Sequence, residues 1–242
     1  MDLKNVKAIT IPQGSVKKIE DSNGNIIWGS QDAFPYRRLE YIEGDGINYV
    51  ITNANVTTGG NIKYWFHIAF TRSGQGNSLS GSEKSNAYST NDRFKFGTSS
   101  GGNLYCGYAN GISGSAPVLE RFYEYYVTQG NQHIKDLSTN TNLVTGNYSL
   151  TGTNIGGGNI TLFGLAQGSN TNILNVSNND GTRIKYFAFN YNNSLVEYIP
   201  VQRKSDGKCG FYNVYNNTFY VEQGNGALIA GPVIDEYWDL TA

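Results

Sequence analysis

Residues 183 to 232 read RIKYFAFNYNNSLVEYIPVQRKSDGKCGFYNVYNNTFYVEQGNGALIAGP, and this stretch decides the fold. Short aromatic and β-branched runs alternate with polar pairs. Lys185 to Asn190 carries Tyr186 and Ala188 on one face and Phe187 and Phe189 on the other. A strand apolar on both faces belongs inside a sandwich, not at a wetted edge. Asn192-Asn193 predicts a turn, because Asn tolerates positive φ. Leu195 to Val201 is the next strand, with Pro200 near its end, where a missing N–H does least harm. Asp206-Gly207 turns the chain into Cys209 to Asn213, Asn216-Asn217 turns it into Thr218 to Glu222, and Gly224-Asn225-Gly226 closes the run. Strands at this spacing describe an antiparallel meander.

Working outward, the chain has 242 residues with 30 Gly, 18 Tyr, 11 Phe and 15% charged residues. Gly and Asn suit turns, and Tyr and Phe suit strands. No helical period appears. Ile62 to Thr71 is the most apolar strand of the first half, and Trp65, Ile68 and Phe70 are expected in the core. Leu119 to Thr128 alternates, with Leu119, Arg121, Tyr123, Tyr125 and Val127 on one face and Phe122 and Tyr126 on the other. Arg93 to Phe96, Leu104 to Tyr108, Gln132 to Leu137 and Ile160 to Leu165 are further strands. Ser73 to Asp92 and Asn170 to Asp180 are polar, lack periodicity and read as loops.

Residues 1–29 read as a separate unit. Val16 to Glu20 and Asn25 to Trp28 flank Asn23-Gly24, the strongest short hairpin signal. A hairpin is too small to be stable alone. Its apolar residues Ile9, Ile11, Ile19, Ile26, Ile27 and Trp28 must therefore cover either the main body or a partner. Residues 30–36 (SQDAFPY at 30–36, after Gly29) read as a linker, 37–235 as the main domain and 236–242 as a tail.

Two marks bracket that main domain: the opening Leu39-Glu40-Tyr41-Ile42-Glu43-Gly44-Asp45-Gly46-Ile47-Asn48-Tyr49 and the closing pattern from Leu195 through Tyr198-Ile199-Pro200 to Gly231-Pro232. Together they resemble a phage and gut-bacterial family that carries a concanavalin A-like (laminin-G-like) jelly roll. The resemblance implies an all-β antiparallel sandwich, here with a small N-terminal β-hairpin module. VKKIEDSNGNIIWG also resembles short modules that precede variable domains in phage structural proteins. That favours an anchor to other virion proteins, with Ile9, Ile11, Ile19, Ile27 and Trp28 as the anchoring residues.

The chemistry-bearing residues are sparse. Glu43 and Asp45 are the nearest approach to the paired carboxylates of a glycoside hydrolase, but the segment reads as a turn with exposed acids. Glu120 and Glu124 read as surface positions. His67 and His133 are the only histidines and lie far apart in sequence, with no ligand at metal spacing. Asp92, Asp136 and Asp180 are possible oxygen ligands for calcium, but no dense acidic loop surrounds them. No catalytic, cofactor or metal residues are assigned. Cys106 and Cys209 are expected as free, buried thiols. A formal net charge of −1 and isolated Lys17-Lys18 and Arg37-Arg38 pairs argue against nucleic acid. No apolar run is long enough to span a membrane, and MDLKNVKAIT has no secretory h-region.

The expectation is a non-enzymatic phage virion protein: a head fibre, decoration or tail appendage made in the host cytoplasm. A homo-oligomer, with a trimer as one form, would display its jelly roll toward host or mucosal glycans. Tyr, Asn and Ser suit adaptable recognition, and Tyr88, Tyr108, Asn110 and Tyr191 are the loop residues expected to touch sugar. The alternatives are a secreted carbohydrate-binding adhesin of a gut bacterium and a glycoside hydrolase.

Overall fold

The computed structural model describes residues 18–20, 26–29, 35–55, 62–74, 76, 78–83, 93–108, 111–128, 130–147, 158–168, 171–191 and 194–235. The first strands are β1 (Lys18–Glu20), β2 (Ile26–Gly29), β3 (Tyr36–Leu39), β4 (Ile42–Glu43), β5 (Val50–Asn55) and β6 (Ile62–Phe70). Then come β7 (Leu79–Glu83), β8 (Arg93–Thr98), β9 (Leu104–Tyr108), β10 (Ile112–Ser113), β11 (Tyr123–Thr128) and β12 (Asn131–Asp136). They are followed by β13 (Thr141–Asn147), β14 (Asn159–Leu162), β15 (Leu165–Gln167) and β16 (Ile173–Leu174). The last are β17 (Thr182–Tyr191), β18 (Ser194–Arg203), β19 (Cys209–Asn213), β20 (Thr218–Val221), β21 (Ile229–Ala230) and β22 (Val233–Asp235).

β1 and β2 pair antiparallel in a two-stranded sheet of their own, with Ile19 opposite Trp28. Ile27 also lies on β2, whereas Ile9 and Ile11 lie outside the described residues. The remaining strands make two sheets. The larger runs β13-β12-β11-β6-β17-β18-β19-β20, and the smaller β10-β9-β8-β7-β14-β5. Among the described strands, pairing is antiparallel except where β15 runs parallel to β7. Side chains from both sheets form one core, so the sheets pack as a sandwich.

Strict alternation decides which side chains enter that core. From β6 it takes Tyr64, Phe66, Ile68 and Phe70, and from β11 Tyr123, Tyr125 and Val127. Trp65 has the opposite parity to Ile68 and Phe70. It therefore faces away from the core, half-buried against Tyr126, contrary to expectation. Leu119 and Arg121 are likewise exposed, because Glu120 takes a positive φ of 64° and the strand starts only at Tyr123. Aromatic pairs tie the sheets together: Phe66 stacks on Phe96 at 5.4 Å, and Tyr64 packs on Phe94 at 4.1 Å. The buried Tyr125 hydroxyl donates to Gly97 O across the sandwich at 2.7 Å. Each such ring contributes about 1.5–3 kcal/mol by burial alone.

The C-terminal meander matches its sequence closely, and Asn217 supplies the positive φ (57°) of the turn between β19 and β20. Pro200 lies between Tyr198, the last residue of β18 paired with β17, and Val201, the first paired with β3. Its missing N–H falls where the strand exchanges neighbours. The Ser73–Asp92 loop is corrected: Leu79–Glu83 within it is a fully buried strand. Its polarity is satisfied internally, since Ser80 Oγ accepts from Phe163 N and Ser82 Oγ donates to Gly158 O. Lys95 meets Glu83 at 2.5 Å. The expected Asn170–Asp180 loop also holds β16 and a turn of 3₁₀ helix at Ser177–Asn179. Cys106 and Cys209 are free and buried, as expected. Burial pushes the Cys209 thiol up to about 12.

The two marked segments meet. β3 pairs with β18 on one side and β22 on the other, and β4 with β17 and β21. Beyond β4, Asp45 Oδ1 accepts from the backbone amides of Ile47 and Asn48. The buried Asn48 in turn accepts from Gly226 N at 3.2 Å. Gly224, at φ +121°, has no room for a side chain: a Cβ there would lie 2.3 Å from Asn48 Oδ1.

Gly81 adopts φ +143°, and a Cβ there would lie 1.9 Å from Phe94 O in the next strand. Gly81→Ala should therefore destabilise the fold by about 3 kcal/mol in urea titration. Gly130→Ala, with nothing within 4 Å of its Cβ position, should cost only about 1 kcal/mol. Equal costs would contradict the close β7–β8 approach. Asp45→Ala should cost about 1–2 kcal/mol through the lost amide bonds, read from the same titration.

Candidate functional site: the outer face of the larger sheet

The side chains that alternation turns away from the core gather on the outer face of the larger sheet. The register sets His133, Tyr126, Trp65 and Ala188 side by side on β12, β11, β6 and β17. Trp65 and Tyr126 rings lie 5.4 Å apart, and Tyr126 and His133 rings 4.9 Å. Ala188 is fully buried although it faces outward, so larger neighbours close over it. The adjoining row sets Lys135, Glu124, His67 and Tyr186 side by side.

A bulge in β17 builds this second row. Ile184 pairs with Ile68 but Tyr186 pairs with His67, so Lys185 is an extra residue. The slip turns Tyr186 outward against His67, with ring centroids 5.1 Å apart, and Phe187 into the core. The Tyr186 hydroxyl donates to Glu197; burial and that carboxylate both push its proton affinity up.

At the centre, Glu124 joins both histidines of the chain. His67 Nε2 lies 3.2 Å from one carboxylate oxygen and His133 Nε2 3.3 Å from the other. An ionised carboxylate only accepts, so both Nε2 atoms carry their protons. These bonds, His133 first and then His67, hold the Glu124 carboxyl far below the usual carboxylate range. Sequence reading missed this cluster, because 57 and 9 residues separate Glu124 from its partners. Only the strand register joins them.

The face continues toward β4. Arg183 Nε donates to Glu43 Oε2 at 2.7 Å and its guanidinium lies 4.6 Å from the Tyr41 ring centroid. Lys185 Nζ lies 3.4 Å from Glu40 Oε1 and 5.3 Å from the Phe122 ring centroid. Glu43 is thus an ion-paired strand residue rather than an exposed turn acid. Asp45 is held by the turn amides described above. Where β17 and β18 splay apart to admit β3, a pocket of about 170 Å³ opens beside His67 and Tyr186.

Of the loop residues expected to touch sugar, none has a described side chain. Tyr88 and Asn110 lie outside the described residues, and of Tyr108 and Tyr191 the structure describes only the backbone, at the ends of β9 and β17. Of the three aspartates weighed as oxygen ligands for calcium, Asp136 accepts from Ser138 and Arg121, Asp180 pairs with Arg72, and Asp92 lies outside the described residues. Among the described residues, no three His, Cys, Asp or Glu side chains are arranged to hold a metal ion. Comparison with known proteins finds no family model that matches the chain, and no curated protein or solved structure that matches it.

Glu124 supplies a testable pH dependence. Its carboxyl is depressed in the fold, so its stabilisation is complete above the unfolded value of about 4.3 and is lost as pH falls toward the folded one. Glu124→Gln should lower stability by about 2 kcal/mol at pH 7. The gap from the unmodified protein should narrow below about pH 4. A gap that stays constant from pH 7 to pH 3 would remove the ion cluster from the account.

Proposed function

We propose that the chain is a non-enzymatic structural protein of a bacteriophage particle. Its sandwich, a concanavalin A-like jelly roll, is displayed outward and binds host or mucosal glycans through the outer face of its larger sheet. The observation that carries the binding reading is the half-buried Trp65–Tyr126–His133 row beside the Glu124 cluster. Aromatic rings offer faces to the C–H groups of a sugar, and neighbouring carboxylate, imidazole and hydroxyl groups offer partners to its hydroxyls. The ion pairs and bulge beneath hold these groups in place before any ligand arrives, which lowers the ordering cost of binding.

The virion reading rests on the sequence resemblance of the opening and closing segments and of the N-terminal VKKIEDSNGNIIWG stretch. The hairpin that pairs Ile19 with Trp28 is the anchor to other virion proteins in this reading. Several copies held together on a particle would turn weak single contacts into useful avidity.

The test uses the full chain on a broad glycan array, followed by titration of the best ligand. Trp65→Ala should weaken that ligand at least about tenfold, as expected for a lost aromatic anchor, while the melting temperature falls only a few degrees. Unchanged affinity in Trp65→Ala would move binding off this face, and silence across the array would remove the glycan role. Antibody labelling of purified particles tests the virion assignment, and absence of label would overturn it.

A further inference from the structure

The pocket beside the outer face has a chemistry narrower than "sugar". Its apolar part is made by the buried Ile199 and the half-exposed Ile234, over the backbone at Leu39 and Pro200. Its rim is polar and carries both signs, with Arg38 and Lys185 against Glu40. Lys185 and Glu40 already face each other at 3.4 Å. A neutral group with one acceptor and one donor can bond to both signs of this rim without breaking the Lys185–Glu40 pair. His67, held by Glu124, and Tyr186, held by Glu197, complete the wall on the side of the aromatic rows.

The volume narrows the choice further. At about 170 Å³ the pocket is smaller than the roughly 300–1,000 Å³ that encloses a whole ligand. It takes one substituent of a larger molecule lying on the sheet. That substituent needs an apolar end for Ile199 and Ile234, and a neutral polar middle for the rim.

We infer that the pocket receives the acetamido group of an N-acetylated hexosamine, whose pyranose ring lies over the Tyr186–His67 side of the face. The methyl enters the apolar part. The amide carbonyl accepts from the Arg38 or Lys185 side of the rim, and the amide N–H donates toward Glu40. This inference rests on the glycan-binding reading of the outer face and adds the class of sugar. The fork between β17 and β18 thus selects the ligand, and the aromatic rows hold it.

The experiment is calorimetric titration of the full chain with tri-N-acetylchitotriose and with cellotriose, which share a backbone linkage and differ in the acetamido groups. The acetylated trimer should bind about tenfold or more tightly, from one buried methyl and one hydrogen bond. Ile234→Trp, at a 53% exposed position, should fill the mouth and bring the two affinities together without lowering the melting temperature. Equal affinities in the unmodified protein would overturn the inference; if both trimers were then lost in Trp65→Ala, the outer-face reading would stand without it. A preference that survives Ile234→Trp would also overturn it. Failure of both trimers to bind the unmodified protein would overturn the inference and count against the outer-face reading as well.

Discussion

The fold depends on how its first and last strands hold each other. β3 and β4 are too short to persist alone, with four and two residues. They are held because each is paired on both sides, inwardly by β18 and β17 and outwardly by β22 and β21. The backbone bonds Glu40 N to Pro232 O (2.8 Å) and Gly231 N to Tyr41 O (3.1 Å) continue the zipper. Asn48 and the glycines around Asn225 lock its far end. Leu39, Ile42 and Leu228 enter the core from these same segments. Sheet pairing and burial thus reinforce one another across nearly two hundred residues of chain, a long-range closure that makes formation slow but the closed state cooperative.

That closure also shapes the surface. Admitting β3 and β4 forces β17 and β18 apart, and the gap becomes the pocket. The bulge at Lys185 accommodates the change of neighbour in β17 and re-aims Tyr186 outward. A structural necessity of the fold therefore places an apolar recess beside a row of rings. Polar groups around it already have partners: Arg183 pairs with Glu43, Lys185 with Glu40, and Glu124 accepts from two imidazole N–H groups. Such a face is suited to a neutral, amphipathic ligand more than to a strongly charged one.

Much of the architecture was legible in the sequence because the meander obeys two local rules. Alternating aromatics mark the strands, and Asn and Gly mark the turns, so β17 to β20 could be placed within a few residues. β7 was illegible for a physical reason. LSGSE has no apolar alternation, since hydroxyls bonded inside the core replace side-chain bulk and its glycine admits the neighbouring strand closely. Trp65 has the bulk of a core residue but the parity of an outer one, and Ile68 and Phe70 fix which face is inner. The site itself left almost no local signal. His67, Glu124 and His133 are brought together by strand register, and register across distant strands is a property of the whole sandwich. The half-buried sheet face has ordinary strand composition, so nothing local marks its outward rows.

The most direct measurement is chemical-shift mapping by NMR with the Trp65 indole and the His67 and His133 imidazoles as reporters, during titration with an N-acetylated oligosaccharide. The account predicts that these three side chains shift together and saturably, along with the backbone of β6, β11 and β17. Shifts confined to the amides around Tyr88, Tyr108, Asn110 and Tyr191, with the three reporters unmoved, would contradict it.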